Sequence, residues 1–581
     1  MLLAYKALLR RKRRAWEKCQ NEELCCLAAK DPGKFWRKYR KREDAPTGIS
    51  TSAWYQAFSS LLAPAAPAST AAGPIMGAGT QHTLGSTPEH LHDSVSTAET
   101  ARALKRLRRN KAAGIDGIRA EHLLDACELL LEPMAATFTH LLLDGVPECL
   151  CKGVIHPIFK AGAKYDPNNY RGITVTPVLS KLFAMILEAR LSEWAECSGI
   201  RADGQAGFRK GHRTVDHVYT LRALITQAKR SKSKLFCCFV DFKKAFDSIP
   251  RERMWQVLAG LGLEGPLLQC LQSMYAQDSA CVLTRDGCTE YFPCTAGVKQ
   301  GCPASPLLFG LYLDALESYL TGQRPGLHGA PDGPFLSGQV ILLLLFADDL
   351  VLVSQSESGL QAQLNALHAF CVNRGLTVKD LAKTKAVVFN QRTYKANLVF
   401  AGQAVEQVDR YKYLGLVMHQ NGTFTCAVES LKSAAQRALF ALQARCAELG
   451  IVDTQLRFKL YDAVVKPVLS YGCEVWVPLV SDSSLEELER VHLSFLRRIL
   501  DVPRAAAAKH LYAETGRLPH RTMVAAEPQI YAPPDCCRSI PICAQSLLSR
   551  PCTGAGVGAG CACTPVPHGS YPACAWSRLQ P

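Results

Sequence analysis

Two apolar segments of this 581-residue chain end in aspartates, and these carboxylates are the residues best suited to chemistry. The run LFCCFV at 235–240 is followed by Asp241, and VILLLLFADDLVLV at 340–353 carries Asp348 and Asp349 between two apolar halves. Two apolar halves joined by a short turn predict a β-hairpin with both aspartates at or beside its tip. A carboxylate at the end of a buried strand is costly unless it binds a cation or a hydrogen-bond donor.

A pair of aspartates in a turn is, taken alone, more often structural than catalytic, because aspartate side chains stabilise turns. Two strand-end carboxylate sites in one chain are a rarer combination, and together they can hold two Mg²⁺ ions. Such ions activate an attacking 3′-hydroxyl and stabilise the leaving pyrophosphate in phosphoryl transfer. The pattern therefore favours Asp241, Asp348 and Asp349 as the ligands of a two-magnesium site.

The composition fits a polyanionic partner. Lys and Arg outnumber Asp and Glu by 67 to 51, giving a formal net charge of +16. The first 45 residues are especially basic, which is typical either of a helical arm on a phosphate backbone or of a solvated helix. No apolar run reaches the roughly 18 residues of a membrane span, and the basic start lacks the apolar core of a secretory signal. We therefore expect an intracellular protein, in the nucleus or the cytoplasm, with no membrane partner.

Several motifs resemble those of the reverse transcriptase family, and most closely those of LINE-type non-LTR retrotransposons. They follow the family's order over roughly 100–525. The blocks are NKAAGIDGI at 110–118, IHPIFKAGAKYDPNNYRGITVTPVLS at 155–180, QAGFRKGHRT at 205–214, DFKKAFD at 241–247, GVKQGCPASPLLF at 297–309, FADD at 346–349, YKYLGL at 411–416 and VVKPVLSYGCEVW at 464–476. So many independent motifs in order make a chance similarity untenable.

The resemblance assigns catalytic and nucleotide-binding roles to individual residues. Asp241 matches the first metal-binding aspartate of the family, and the pair at 348–349 matches the second metal block. Phe246 falls at the steric-gate position, where an aromatic ring crowds the sugar 2′-hydroxyl and so favours deoxynucleotides. Gln300 and Gly301 are expected to lie against the incoming nucleotide.

The resemblance also implies a set of phosphate-binding cations. Lys160 and Arg171 match the basic residues that hold the triphosphate, which needs cations on the side away from the metals. Arg209 is expected to contact a nucleic-acid phosphate, and Lys383 is the best match to the lysine that protonates the leaving pyrophosphate. The family's spacing is interrupted just before Lys383, by Lys379 and Asp380.

The fold that the resemblance implies is an α/β (α+β) right-hand polymerase. Fingers and palm are expected at 97–420, with the palm an antiparallel sheet on helices, and a helical thumb or connection at 421–525. Composition indicates a basic helical segment at 1–59, a flexible linker at 60–96 and a Pro- and Cys-rich disordered tail at 526–581.

The implied function is that of an RNA-directed DNA polymerase with two Mg²⁺ ions, an RNA template, a DNA primer and deoxynucleoside triphosphates. Full-length proteins of this type usually carry an endonuclease before the polymerase, and the residues before 100 are too few for one. The chain is therefore expected to be a fragment, served by a separate endonuclease or an element RNA-binding protein. Two alternatives stay open, a catalytically silent nucleic-acid-binding remnant and an intron maturase-like relative.

Overall fold

Helices and strands alternate along the chain, and the predicted mixed α/β class is confirmed. The computed structural model describes residues 2–40, 48–64, 91–242, 244–322, 332–378 and 383–524. The predicted tail at 526–581 and most of the predicted linker lie outside these residues. None of the helices in the described ranges combines the length and the apolar composition that crossing a bilayer requires.

The helices form three groups along the chain. The N-terminal helices are α1 (Leu2–Lys30), α2 (Pro32–Tyr39) and α3 (Thr51–Leu62). The central helices are α4 (Thr97–Arg106), α5 (Ala120–Asp125), α6 (Cys127–Asp144), α7 (Glu148–Cys151), α8 (Val178–Cys197), α9 (Thr214–Arg230), α10 (Ala245–Ser248), α11 (Arg251–Gly260), α12 (Gly265–Ala276), α13 (Ser305–Gly322) and α14 (Glu357–Arg374). The C-terminal helices are α15 (Thr425–Glu448), α16 (Thr454–Val464), α17 (Lys466–Leu469), α18 (Cys473–Trp476), α19 (Asp482–Leu500) and α20 (Ala508–Thr515).

The strands of the described residues form two five-stranded sheets and three two-stranded ribbons. The first sheet, called the N-terminal sheet, contains β1 (Lys152–Phe159), β2 (Tyr170–Val175), β4 (Ser279–Thr284), β5 (Gly287–Cys288) and β6 (Phe292–Pro293). The central sheet has the order β14-β11-β3-β10-β9, from β3 (Leu235–Asp241), β9 (Leu343–Phe346), β10 (Asp349–Ser354), β11 (Lys385–Phe389) and β14 (Glu406–Gln407). The ribbons pair β7 (Phe335–Leu336) with β8 (Gln339–Val340), β12 (Val399–Phe400) with β13 (Gln403–Ala404), and β15 (Arg410–Tyr413) with β16 (Leu416–His419).

The middle strand of the central sheet, β3, is apolar at every position before Asp241 because both of its faces are covered. Successive side chains of a strand point to opposite faces. Phe236, Cys238 and Val240 pack into the core that contains α13 and α14. The alternate residues, including Phe239, pack into a second core with α9 and the C-terminal helices. A strand buried on both sides holds its terminal carboxylate in one place.

The N-terminal sheet lies under helix α3. Trp54 and Phe58 of this helix are buried against Ile155, Tyr170 and Phe292 of the sheet. The helix begins where the Ser50 side chain accepts a hydrogen bond from a backbone amide of the first turn, as expected of a serine N-cap. The last part of the predicted N-terminal segment therefore packs on the sheet that carries the expected triphosphate-binding residues.

The rest of the N-terminal segment packs on the C-terminal helices. Leu24, Phe35 and Tyr39 are buried in the same core as α15 and α19, and the guanidinium of Arg445 donates to the backbone oxygen of Lys38 at 2.8 Å. Residues 5–16 of α1 are exposed, and this stretch carries most of the basic residues of the helix. The basic N-terminal segment is thus anchored to the C-terminal helices by the end of α1 and by α2.

Candidate active site

The predicted hairpin is present, and it is formed by β9 and β10 with Ala347 and Asp348 as its turn. Asp349, the first residue of β10, is the register partner of Phe346 on β9 and of Asp241 at the end of β3. Residues directly opposite one another in an antiparallel pair have Cβ atoms about 5 Å apart on the same face. The central sheet therefore places Asp241 beside Asp349, with Asp348 in the adjoining turn.

Burial and neighbouring negative charge raise the pKa of two of these carboxylates, Asp348 and Asp349. Burial raises the pKa of Asp349 to about 6, and the charges of Asp348 and Asp241 add to the rise. Burial also raises the pKa of Asp348, the charge of Asp241 raises it further, and Arg171 and Lys160 oppose the rise. A bound cation would favour the ionised form of each carboxylate and so offset the cost of burying its charge.

The donor set fits Mg²⁺ ions that also take oxygens from a substrate. Among the described residues, no three His, Cys, Asp or Glu side chains converge closely enough to make a complete metal site from protein alone. Mg²⁺ is commonly held by one or two carboxylates together with substrate phosphates and water, rather than in an all-protein cage. Asp241, Asp348 and Asp349 are the residues that would hold it.

Cations from two parts of the fold face the carboxylates. Lys160 follows β1 and Arg171 lies on the neighbouring β2. Partial desolvation lowers the pKa of Lys160, the charges of Arg171 and Lys383 lower it further, and Asp241 and Asp348 raise it. Lys160 therefore interacts electrostatically with two other cations and with two of the aspartates. Cations in this position can bind the negatively charged oxygens of a triphosphate.

Lys383 lies just before β11, with its Nζ 3.7 Å from Oδ2 of Asp241. Its side chain is about half exposed, so the ammonium is accessible from the cleft beside the carboxylates. This cleft has a volume of about 480 Å³ and is lined by Asp241, Asp349, Lys383, Lys385, Val408, Arg410, Tyr411 and Lys412. The YKYLGL motif lies in the ribbon of β15 and β16, and this ribbon supplies three of these residues.

The ring of Phe246 is held by other aromatic rings. It stacks on Phe309 of α13 with the centroids 4.3 Å apart, and the ring of Phe208 meets its edge at 5.9 Å. The backbone oxygen of Phe246 also accepts a hydrogen bond from the amide of Val298. The ring is half-buried and its orientation is fixed by the core, which a steric gate requires. Its contact with a sugar stays a prediction.

The segment of Gln300 and Gly301 is fixed between helix α10 and strand β2. The Gln300 side-chain amide donates to Oδ1 of Asp247 at 2.8 Å, and its backbone oxygen accepts from the amide of Thr174 on β2 at 2.7 Å. Gly301 has a φ of +126°, and a Cβ there would lie 2.3 Å from the Thr174 carbonyl oxygen. Only glycine fits this approach, so the segment presents backbone rather than a side chain beside β2.

Arg209 lies in a local ion pair, and its contact with a nucleic-acid phosphate stays a prediction. Its guanidinium forms a two-bond ion pair with Glu196, at 2.7 and 3.0 Å, and donates to the carbonyl oxygens of Ala202 and Gln205. The side chain is only 11% exposed, so a phosphate contact would require this pair to break. The geometry gives Arg209 a structural role in holding the loop after α8.

Gln205 is a residue of the site that the motif analysis quoted but did not single out. It is fully buried, and its side-chain oxygen accepts hydrogen bonds from the amides of Gly207 and Ala347. Its position at the start of the motif QAGFRKGHRT was the only sequence feature that could have marked it. Its hydrogen bond to Ala347 could not be predicted from neighbouring residues, because the two residues are 142 positions apart.

The comparison with known families agrees with this site. Residues 158–418 match the family described as reverse transcriptase (RNA-dependent DNA polymerase). The matched range contains the three aspartates, the hairpin that carries two of them, and the cations that face them. This part of the chain is a reverse transcriptase domain with a polymerase fold.

Relatives narrow the family further. The chain is 25% identical to the probable RNA-directed DNA polymerase from transposon BS of Drosophila melanogaster, over 70% of this chain and 45% of the relative. It is 23% identical to the RNA-directed DNA polymerase from mobile element jockey of Drosophila funebris, over 71% of this chain and 44% of the relative. It is 28% identical to the Pol polyprotein from the R2 element of Nasonia vitripennis, over 44% of this chain and 25% of the relative. The predicted resemblance is confirmed, because a reverse transcriptase domain matches residues 158–418 and these relatives are RNA-directed DNA polymerases or Pol polyproteins of transposable elements. The chain spans less than half the length of these relatives.

Proposed function

We propose that the chain is an RNA-directed DNA polymerase that extends a DNA primer on an RNA template by two-magnesium nucleotidyl transfer. The observation that carries the proposal is the register of β3 and β10, which sets Asp241 opposite Asp349 with Asp348 in the adjoining turn. Two bound Mg²⁺ ions would supply a more acidic 3′-hydroxyl and a neutralised leaving pyrophosphate. Asp241, Asp348 and Asp349 would hold the ions.

The remaining residues of the site act on the nucleotide. Lys160 and Arg171 bind the triphosphate from the N-terminal sheet, since they already share an electrostatic field with Asp348. Lys383 donates a proton to the leaving pyrophosphate, a role that its half-exposed ammonium beside Asp241 permits. Positioned charges of this kind act on the transition state without reorganising at the moment of reaction.

Sugar selection falls to Phe246. Its ring cannot move away from a 2′-hydroxyl without disturbing the stack on Phe309, whose own side chain is fully buried. A deoxynucleotide therefore fits beside the ring, whereas the 2′-hydroxyl of a ribonucleotide would clash with it. The Gln300–Gly301 segment, bound to β2, would support the nucleotide from the opposite side.

Primer extension tests the proposal. Purified wild-type chain, an RNA template, a DNA primer, Mg²⁺ and labelled deoxynucleotides are compared with Asp348→Ala and with Asp332→Ala, a change of the same type at an aspartate that bonds Ser354 at the far end of β10. Extension by wild type and Asp332→Ala, but not by Asp348→Ala, supports the two-metal site. Duplex binding without extension by the wild type would contradict the proposal and favour a catalytically silent nucleic-acid-binding protein.

A further inference from the structure

A short segment before α9 extends the central sheet beyond β9. The amide of Leu345 donates to the backbone oxygen of Gly204 at 2.8 Å, and the amide of Ala206 donates to the backbone oxygen of Leu345 at 2.9 Å. Gln205 and Leu345 thus form a parallel bridge. The segment 204–207 lies along the strand that leads into the turn bearing the aspartates.

The side chain of Gln205 continues this contact into the turn itself. Its Oε1 accepts hydrogen bonds from the amide of Gly207 at 2.7 Å and from the amide of Ala347 at 3.1 Å. Its Nε2 has no hydrogen-bond partner among the described residues, so the acceptor oxygen is the part of the side chain that matters. One buried oxygen therefore joins the segment to the turn.

The turn requires such support because of its backbone. Ala347 has a φ of +59°, in the left-handed region that two-residue hairpin turns use and that Asn, Asp and Gly favour. An alanine there is strained relative to a right-handed conformation, because its Cβ crowds the following carbonyl oxygen. The turn persists only if its surroundings hold it, and residues in such conformations concentrate at functional sites.

The segment approaches the turn as closely as backbone allows. A Cβ on Gly207 would lie 2.1 Å from the amide nitrogen of Ala347, so a glycine is required there. On its other side, the amide of Gly204 donates to Oε2 of Glu317 on α13 at 2.9 Å. The segment is therefore fixed to a central helix and can transmit that rigidity to the turn.

A buried ion pair strengthens this anchor. Nε of Arg201 lies 2.5 Å from Oδ2 of Asp314 on α13, and both side chains are almost fully buried. Burial raises the pKa of Asp314 to about 7, while Arg201 opposes the rise. Separating the partners of a buried ion pair is strongly destabilising, so the chain just before the segment 204–207 is held against α13.

We propose that Gln205 is a positioning residue for the metal-binding carboxylates. Its Oε1 fixes the Ala347 amide, and thereby keeps Asp349 opposite Asp241 and Asp348 in the adjoining turn. The inference rests on the proposed function for what the carboxylates do, but the clamp itself is a property of the fold. Residues that orient metal ligands from behind commonly contribute 10–100-fold to metal affinity or activity.

Hydrogen exchange tests the clamp without any activity. Peptides covering 343–352 are followed in wild type, Gln205→Ala, Gln205→Glu and Gln363→Ala. Gln363 is the matched control, a buried glutamine whose Nε2 donates to the Val353 oxygen near the far end of β10, at 2.9 Å. Gln205→Ala should expose the Ala347 amide to faster exchange, whereas Gln205→Glu keeps an acceptor oxygen and should retain protection. Unchanged exchange in Gln205→Ala would overturn the clamp.

Primer extension then tests the link to the carboxylates. In Gln205→Ala the Mg²⁺ concentration for half-maximal rate should rise about tenfold or more and kcat should fall, with little change in KM for the deoxynucleotide. Gln363→Ala should keep the wild-type Mg²⁺ requirement even if its Tm falls. Faster turn exchange in Gln205→Ala with an unaltered Mg²⁺ requirement would overturn the positioning role. If the wild-type chain never extends a primer, the proposed function fails, and the exchange result still decides the clamp.

Discussion

Phe246 lies face to face on Phe309, with the ring centroids 4.3 Å apart and the ring planes inclined by 14°. The first ring is the candidate steric gate and the second is fully buried in α13. A gate is selective only if it resists displacement, and close packing in a protein core supplies that resistance. Sugar selection should therefore depend on both rings.

The first prediction concerns this stack. Phe246→Ala should admit ribonucleotides, and Phe309→Ala should weaken discrimination by removing the support of the gate; each should cost discrimination of about 10–200-fold, the usual range for apolar pocket contacts. The measurement is the ratio of kcat/KM for deoxynucleotides and ribonucleotides. Phe370→Ala serves as the control, because Phe370 is equally buried but contacts Tyr319 instead. Phe309→Ala and Phe370→Ala should each lower the free energy of unfolding by about 3–5 kcal/mol, because both rings are fully buried. A loss of discrimination in Phe370→Ala as well would therefore contradict the prediction.

The second prediction separates two kinds of basic residue. Lys160→Ala should raise KM for the deoxynucleotide about 10–100-fold, since a charge-assisted hydrogen bond contributes about 1.5–3 kcal/mol. Arg209→Ala should lower Tm and leave KM near the wild-type value, because its guanidinium is bound to Glu196 and two carbonyl oxygens. Steady-state kinetics, thermal unfolding and primer–template binding of both variants check this. Weaker primer–template binding by Arg209→Ala with unchanged Tm would support the predicted nucleic-acid phosphate contact.

The third prediction uses two glycines with similar backbones. Gly301 has a φ of +126° and its added Cβ would meet the Thr174 oxygen, whereas Gly287 has a φ of +119° and no atom within 4 Å of the added Cβ. Gly301→Ala should lose both stability and primer extension, since the nucleotide-supporting segment must move away from β2. Gly287→Ala should cost only the backbone strain, about 1–2 kcal/mol. Urea unfolding and primer extension measure the difference, and equal losses in the two variants would argue against a tight Gly301–Thr174 contact.

The fourth prediction concerns pH. Burial raises the pKa of Asp247 to about 6, although the charge of Lys244 and the hydrogen bond from Gln300 lower it. The unfolded chain has the lower pKa, so the folded state binds more protons between about pH 4 and 6, and stability contributed by this group falls as pH rises through that window. Asp247→Asn should remove this part of the dependence and make the chain relatively more stable at pH 7. Urea unfolding at several pH values checks it, with an unchanged pH profile as the contrary result.

The fifth prediction concerns the cost of the metal-binding cluster. Without divalent ions, Asp349→Asn should raise Tm, because it removes a buried charge whose pKa burial and the charges of Asp348 and Asp241 raise. Adding Mg²⁺ with primer-template and nucleotide should raise the Tm of wild type and leave the variant nearly unchanged. Thermal unfolding with and without Mg²⁺ makes the comparison. A wild type that is more stable than the variant without metal would count against mutual repulsion.

Much of the site was determined by the sequence alone, because its parts are local. An apolar run ending in Asp241, and two apolar halves joined at Ala347 and Asp348, encode strands and a turn through neighbouring residues only. The predicted β-hairpin of 340–353 is confirmed for the same reason, as β9 and β10. Motif order then indicated the family.

Only the tertiary structure decided which distant groups meet. The Gln205–Ala347 bond joins residues 142 positions apart, and the guanidinium of Arg209 binds Glu196 of the preceding helix instead of facing outward. Charge and motif position cannot reveal a side chain's partner, because the partner is set by how segments pack and which polar groups that packing removes from water. The sequence therefore determined which residues carry the chemistry, and the fold decided what holds them in place.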